Sequence, residues 1–142
     1  MKKNLFLSLM LIALSMSFVC LSSCSDDDED DTNKVSDYNS LDLTKKESFF
    51  GQWAVVDGES EVYNLIIDEE KCDIKYSTYY VPCKYDFNDA TIHAYNELKG
   101  FGEAHFTFRF SHNDNQCLNV SVNRTSLVLG GNSSGNYIAY KK

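Results

Sequence analysis

Phe106-Thr107-Phe108-Arg109-Phe110-Ser111 decides the fold class. Three phenylalanines separated by single polar residues place all their apolar bulk on one side of an extended chain, because strand side chains alternate with a period of two. A helix scatters the same residues around its circumference. The pattern repeats on both sides of this stretch. Leu118, Val120 and Val122 alternate with Asn119, Ser121 and Asn123; Cys83, Tyr85 and Phe87 alternate with Lys84 and Asp86. Cys72, Ile74 and Tyr76 do the same, as do Tyr63, Leu65 and Ile67 within Glu61 to Glu69. Thr125 to Leu129 and Tyr137 to Tyr140 read as further strands. Each has one apolar and one wet face.

Turn chemistry separates the runs: Asp57-Gly58, Asp68-Glu69-Glu70, Val81-Pro82, Asn113-Asp114-Asn115 and the stretch Gly130 to Gly135. Short links between half-buried strands predict an all-β domain of about eight strands, an antiparallel up-and-down barrel or a sandwich. Asp89 to Gly100 reads either as a strand or as a helix capped by Asp89 and stopped by Gly100; β-branched Thr91 and Ile92 favour the strand.

Three segments are expected. Residues 1–23 have the organisation of a signal peptide: Lys2 and Lys3, then an apolar run from Leu5 to Val19, short for a bilayer span. Residues 24–48 are polar and acidic, with isolated Val35, Tyr38, Leu41 and Leu43, and read as a disordered tether with a short lead-in. Residues 49–142 form the β domain, about 94 residues long, which must be rich in buried aromatics to be stable at that size. The chain has 9 Tyr, 9 Phe and 1 Trp. Beyond the acidic run, 15 acids face 11 bases with no basic patch, so nucleic acid is not an expected partner.

Leu21-Ser22-Ser23-Cys24 resembles the lipobox of bacterial lipoproteins, with small residues directly before the cysteine. Bulky Phe18 and Val19 precede the rival Cys20 and disqualify it. The resemblance implies cleavage before Cys24 and lipidation of that residue, so that the membrane is a partner through acyl chains. Ser25-Asp26-Asp27-Asp28-Glu29, continued by Asp30 and Asp31, is similar to the signal that sends lipoproteins of the Bacteroidota to the outer cell surface. It implies an outer-membrane, outward-facing protein. The same block of like charge also serves as a solvated spacer.

Gly51-Gln52-Trp53 resembles the first-strand G-x-W motif of lipocalins and related calycin barrels. The resemblance covers residues 49–142 by strand pattern and implies a Trp that closes one barrel end. The later T-D-Y motif is absent and the chain is short for a lipocalin, which argues against a large cavity. As a lipocalin-like, non-enzymatic domain it is expected to bind a small apolar or amphipathic ligand bordered by Trp53, Tyr63, Tyr76, Tyr85 and Phe108. The alternative is a filled barrel that binds a glycan or a protein through an outer aromatic patch at Tyr79 and Tyr80. A packed interior would favour the second.

No nucleophile elbow, phosphate loop or paired-carboxylate motif is present, so neither enzyme activity nor a cofactor is expected. His93, His105 and His112 are scattered without ligand spacing; on adjacent strands two of them could approach and bind a metal, but surface or strand-end residues are the favoured reading, with no metal expected. Cys72, Cys83 and Cys117 are an odd set, which allows at most one disulfide; Cys72–Cys83 is a candidate pair, and buried free thiols are the favoured reading.

Overall fold

The computed structural model describes residues 35, 37–98, 102–126 and 129–142. Residues 1–23, expected to be a signal peptide, Cys24 and the acidic run Ser25 to Glu29 lie outside the described residues. Eight antiparallel strands follow one another: β1 (Gly51–Asp57), β2 (Ser60–Ile67), β3 (Lys71–Tyr76), β4 (Tyr79–Asn88), β5 (Thr91–Leu98), β6 (Gly102–His112), β7 (Leu118–Ser126) and β8 (Ser133–Lys141). Each pairs with the next and β8 pairs back onto β1, giving a closed up-and-down barrel. Closure removes every free sheet edge.

The period-two reading holds strand by strand. Phe106, Phe108 and Phe110 face inward beside Val120 and Val122, while Thr107, Arg109, Asn119 and Ser121 face outward. Three sequence expectations need correction. Val81-Pro82 is not a turn but lies within β4; the reversal is at Ser77-Thr78, and Pro82 takes an exposed outward position. Thr125 is no separate strand, because β7 runs without a break from Leu118 to Ser126. The strand expected at Tyr137 already begins at Ser133. Asp89 to Gly100 resolves in favour of strand: Asp89 and Ala90 both adopt positive φ (43° and 58°). They form a two-residue hairpin turn between Asn88 and Thr91, and such a turn cannot open a helix.

The barrel domain also starts earlier than Phe49. Two 3-10 turns, Tyr38–Ser40 and Lys46–Phe49, lie along one barrel end, and Tyr38 is buried. The Tyr38 amide donates to the Asn115 carbonyl (3.2 Å), and the Lys141 amide donates to Tyr38 Oη (2.6 Å). This lead-in therefore seals an end that a tether would leave open.

That sealed end is aromatic. Trp53 donates its indole N–H to the Phe49 carbonyl (2.7 Å) and meets Tyr38, Phe49 and Phe110 at centroid separations of 6.1, 5.9 and 6.0 Å. Gly51 stands where it does because its φ is 112° and because a Cβ there would lie 2.9 Å from Lys141 Cε. The G-x-W spelling thus has a local cause on both sides of Gln52.

Candidate functional site

The five residues expected to border a ligand all point inward, but they do not converge. Trp53 belongs to the sealed end. Tyr85 sits on the same side of the barrel, donates its hydroxyl to the Asp68 carbonyl (2.6 Å), and has its pKa pushed up to about 12 chiefly by burial. Tyr63 and Tyr76 stack near the opposite end at 5.1 Å, and Tyr63 meets Phe108 edge-on at 5.7 Å. Trp53 and Phe108 have 0 % of their surface exposed and Tyr63 2 %, so no water-sized void touches the first two. Four clefts of the barrel, of about 320, 480, 270 and 290 Å³, are lined by none of the five.

One inward residue escaped the sequence reading. Arg124 continues the inward register of Leu118, Val120 and Val122, and its alternation was the available signal. It is 6 % exposed, and its guanidinium carbon lies 4.4 Å over the ring of Tyr76. Its Nε and Nη1 have no hydrogen-bond partner among the described residues. Burial raises the pKa of Tyr63, and the nearby positive charge of Arg124 works against that rise. Arg124 also lines a cleft of about 290 Å³ with Asn123, Thr125, Asn132, Ser133 and Ser134. An unpaired cation inside a barrel is costly, and it is the kind of group that an anionic ligand would satisfy.

The expected outer patch divides. Tyr80 faces outward and is 54 % exposed; Tyr79, opposite Tyr76, stands on the inward register at the rim. Ile66, Ile138 and Tyr140 are exposed with them. Register places Tyr140, Ala54, Asn64, Lys75 and Tyr80 side by side across β8, β1, β2, β3 and β4. Four inter-strand steps give this row a span of about 19 Å. Its polar members are held in place. Gln52 donates to Asn64 Oδ1 (3.0 Å), Asn64 donates to Glu61 Oε1 (3.0 Å), and Glu61 pairs with Lys142 (2.6 Å). Tyr80 donates to Asp73 Oδ2 (2.5 Å), a carboxylate that also pairs with Lys71 (3.5 Å).

The wall next to β4 differs. On β5 and β6 the outward residues are Thr91, His93, Tyr95, Glu103, His105, Thr107, Arg109 and Ser111. His93 and His105 meet here, Nε2 to Nδ1, at 3.4 Å. His93 Nδ1 lies 3.0 Å from Thr107 Oγ1, and His105 Nε2 lies 2.8 Å from Glu103 Oε2. The result is a chain from hydroxyl through two imidazoles to carboxylate, which sequence spacing did not reveal. It sits on a convex wall, and the backbone amides around Thr107 serve the ladders to β5 and β7. His112 is elsewhere, at the sealed end, 3.0 Å from the Tyr38 carbonyl.

Cys72 and Cys83 are register partners on β3 and β4, both buried and both free. Burial pushes both thiols up, Cys83 to about 12. Cys117 is free and half-buried in the β6–β7 loop. Among the described residues no three His, Cys, Asp or Glu side chains gather into a metal-holding group. No protein-family model, no curated protein and no solved structure matches this chain.

Proposed function

We propose that the barrel is a non-enzymatic interaction module, displayed outward on a lipid anchor at Cys24, that binds an extracellular glycan through the outer face of β8, β1, β2, β3 and β4. One observation carries this reading. Among the described residues the outward-facing exposed large apolar side chains, Ile66, Tyr80, Ile138 and Tyr140, all belong to β2, β4 and β8. The outward residues of β6 and β7 are polar throughout their length. Exposed apolar surface confined to the wall from β8 round to β4, and missing from the outward residues of β6 and β7, is how an interaction surface differs from an ordinary one. A sugar fits it better than a flat protein does. Tyrosine rings at both ends of the row offer stacking surfaces, and exposed Gln52 and Glu61 between them are held in fixed orientation through buried Asn64. The lipobox Leu21 to Cys24 and the acids that follow support anchoring and surface address.

Titration of the protein against a panel of soluble polysaccharides tests the reading. Tyr80→Ala and Tyr140→Ala are each expected to weaken binding at least tenfold with an unchanged far-UV spectrum. Retention of wild-type affinity in the double variant would contradict it. For the anchor, Cys24→Ser is expected to lose the acyl mass, and protease treatment of intact cells is expected to remove the domain.

Arg124 favours a second reading: a small amphipathic acid whose carboxylate or phosphate pairs with the guanidinium at the end of the barrel near Tyr63 and Tyr76. Native mass spectrometry of protein isolated from its own host tests it. A co-purifying anion absent from Arg124→Met supports this reading, and an unliganded mass counts against it.

A further inference from the structure

We propose that His93 and His105 form a divalent transition-metal site on the outer wall of the barrel, of the zinc, nickel or copper class, with His93 Nε2 and His105 Nδ1 as its protein ligands. The two nitrogens are 3.4 Å apart. Two imidazole nitrogens bound to one tetrahedral ion at about 2.0–2.1 Å stand about 3.4 Å from each other. The pair is therefore spaced for an ion without any strand having to move.

The groups behind each ring favour the same arrangement. A neutral imidazole has one N–H and one lone pair. Glu103 accepts at His105 Nε2, which fixes the proton there and turns the Nδ1 lone pair towards His93. Thr107 Oγ1 stands 3.0 Å from His93 Nδ1; in the tautomer in which the hydroxyl accepts there, the Nε2 lone pair is turned towards His105. An ion at about 2.0–2.1 Å from both nitrogens sits to one side of the line between them, and ring rotation turns the two lone pairs to converge on it. A carboxylate behind a ligating histidine also raises the basicity of the ring, the arrangement typical of zinc sites. Imidazole donors suit zinc, nickel and copper and discriminate against calcium and magnesium.

The surroundings are compatible with a cation. Asp86 is the register partner of His93, and the nearest basic positions are Lys84, opposite Tyr95, and Arg109, opposite Thr91. Tyr95 packs its ring on His93 and His105 at 6.1 and 6.4 Å. The same Tyr95 lines a cleft of about 320 Å³ with Pro82, Lys84 and Asn96. With two protein ligands the ion keeps open positions, which water or a donor group in that cleft can take. The site uses none of the residues of the tyrosine row, although β5 adjoins β4, the strand that carries Tyr80.

Zinc titration of the full-length protein in detergent, in competition with a chromophoric chelator, tests the proposal. His93→Ala and His105→Ala are each expected to weaken one zinc site at least tenfold. Glu103→Gln is expected to weaken it by about 10–100-fold without removing a ligand, and His112→Ala is expected to leave it unchanged. His93→Gln serves where the alanine variant loses its far-UV β spectrum. Absence of saturable zinc binding, or binding by the His93/His105 double variant equal to that of the wild type, overturns the site.

Discussion

Lys141 holds its ammonium 6.0 Å above the ring of Trp53, and the two residues are register partners in the β1–β8 ladder that closes the barrel. Burial lowers the pKa of this lysine, and the backbone amide of the same residue is bound by Tyr38 Oη. First strand, last strand and lead-in therefore meet at one point. Trp53→Ala, which empties that point, is expected to destabilise the fold by about 3–5 kcal/mol. Tyr38→Phe removes only the acceptor for the Lys141 amide and is expected to cost about 1–2 kcal/mol. Chemical denaturation followed by tryptophan fluorescence measures the second, and circular dichroism the first.

Arg124 predicts the opposite sign. A buried guanidinium with two unpartnered nitrogens is a burden on the fold, so Arg124→Met is expected to raise stability, on the order of 1–4 kcal/mol. A loss of stability in the denaturation midpoint would mean that the stack on Tyr76 outweighs the desolvation of the charge.

The cysteines are expected to separate by reactivity. Thiolate is the reactive form, and burial raises the pKa of all three thiols, so access separates them: Cys72 and Cys83 are buried and Cys117 is half-buried. Iodoacetamide at pH 8 on the native protein is expected to label Cys117 and to spare Cys72 and Cys83 until guanidinium unfolds the barrel. Peptide mass spectrometry reads the sites directly, and a Cys72–Cys83 disulfide would appear in the same experiment as a linked pair.

Glu61 gives a pH dependence. Its hydrogen-bonded pairing with Lys142 is the leading cause that holds its carboxyl below the ordinary value, with Asn64 adding to it. A depressed folded-state pKa contributes stability that is fully present above the unfolded value and lost as pH falls through the folded one. The melting temperature is therefore expected to fall on acidification below about pH 4.5, near the ordinary glutamate value. In Glu61→Gln the fall is expected to be shallower. An identical acid limb in both proteins would remove Glu61 from the account.

Much of the barrel was legible because burial on one face writes itself into alternation. Phe106, Phe108 and Phe110 need no partner to declare their strand. The sealed end was less legible: Tyr38 sits in polar, acidic surroundings, and only the lengths of the two 3-10 turns bring it to Lys141. Pro82 misled because its lack of an N–H is tolerated at an outward place in β4. The His93–His105 contact depends on register. It requires His93 opposite Thr107 and Tyr95 opposite His105, and so a hairpin where the sequence left helix and strand both open. Arg124 was hidden by its charge, although its position in β7 is inward by simple counting.

Tyr80 separates ring from hydroxyl. Tyr80→Phe keeps the stacking surface but leaves Asp73, whose Oδ1 is already unpartnered, with Lys71 alone. It is expected to lower the denaturation midpoint while preserving most glycan affinity. Tyr80→Ala is expected to lose the affinity as well.

The most direct test of the central claim, that a filled barrel binds on its outer face, is a chemical-shift map of the isotope-labelled protein titrated with the tightest polysaccharide of the panel. The account predicts shifts confined to Gln52, Asn64, Ile66, Tyr80, Ile138 and Tyr140, with Tyr63, Phe108 and Val122 unmoved. Shifts centred on Tyr63, Tyr76 and Arg124 would contradict it and place the ligand inside.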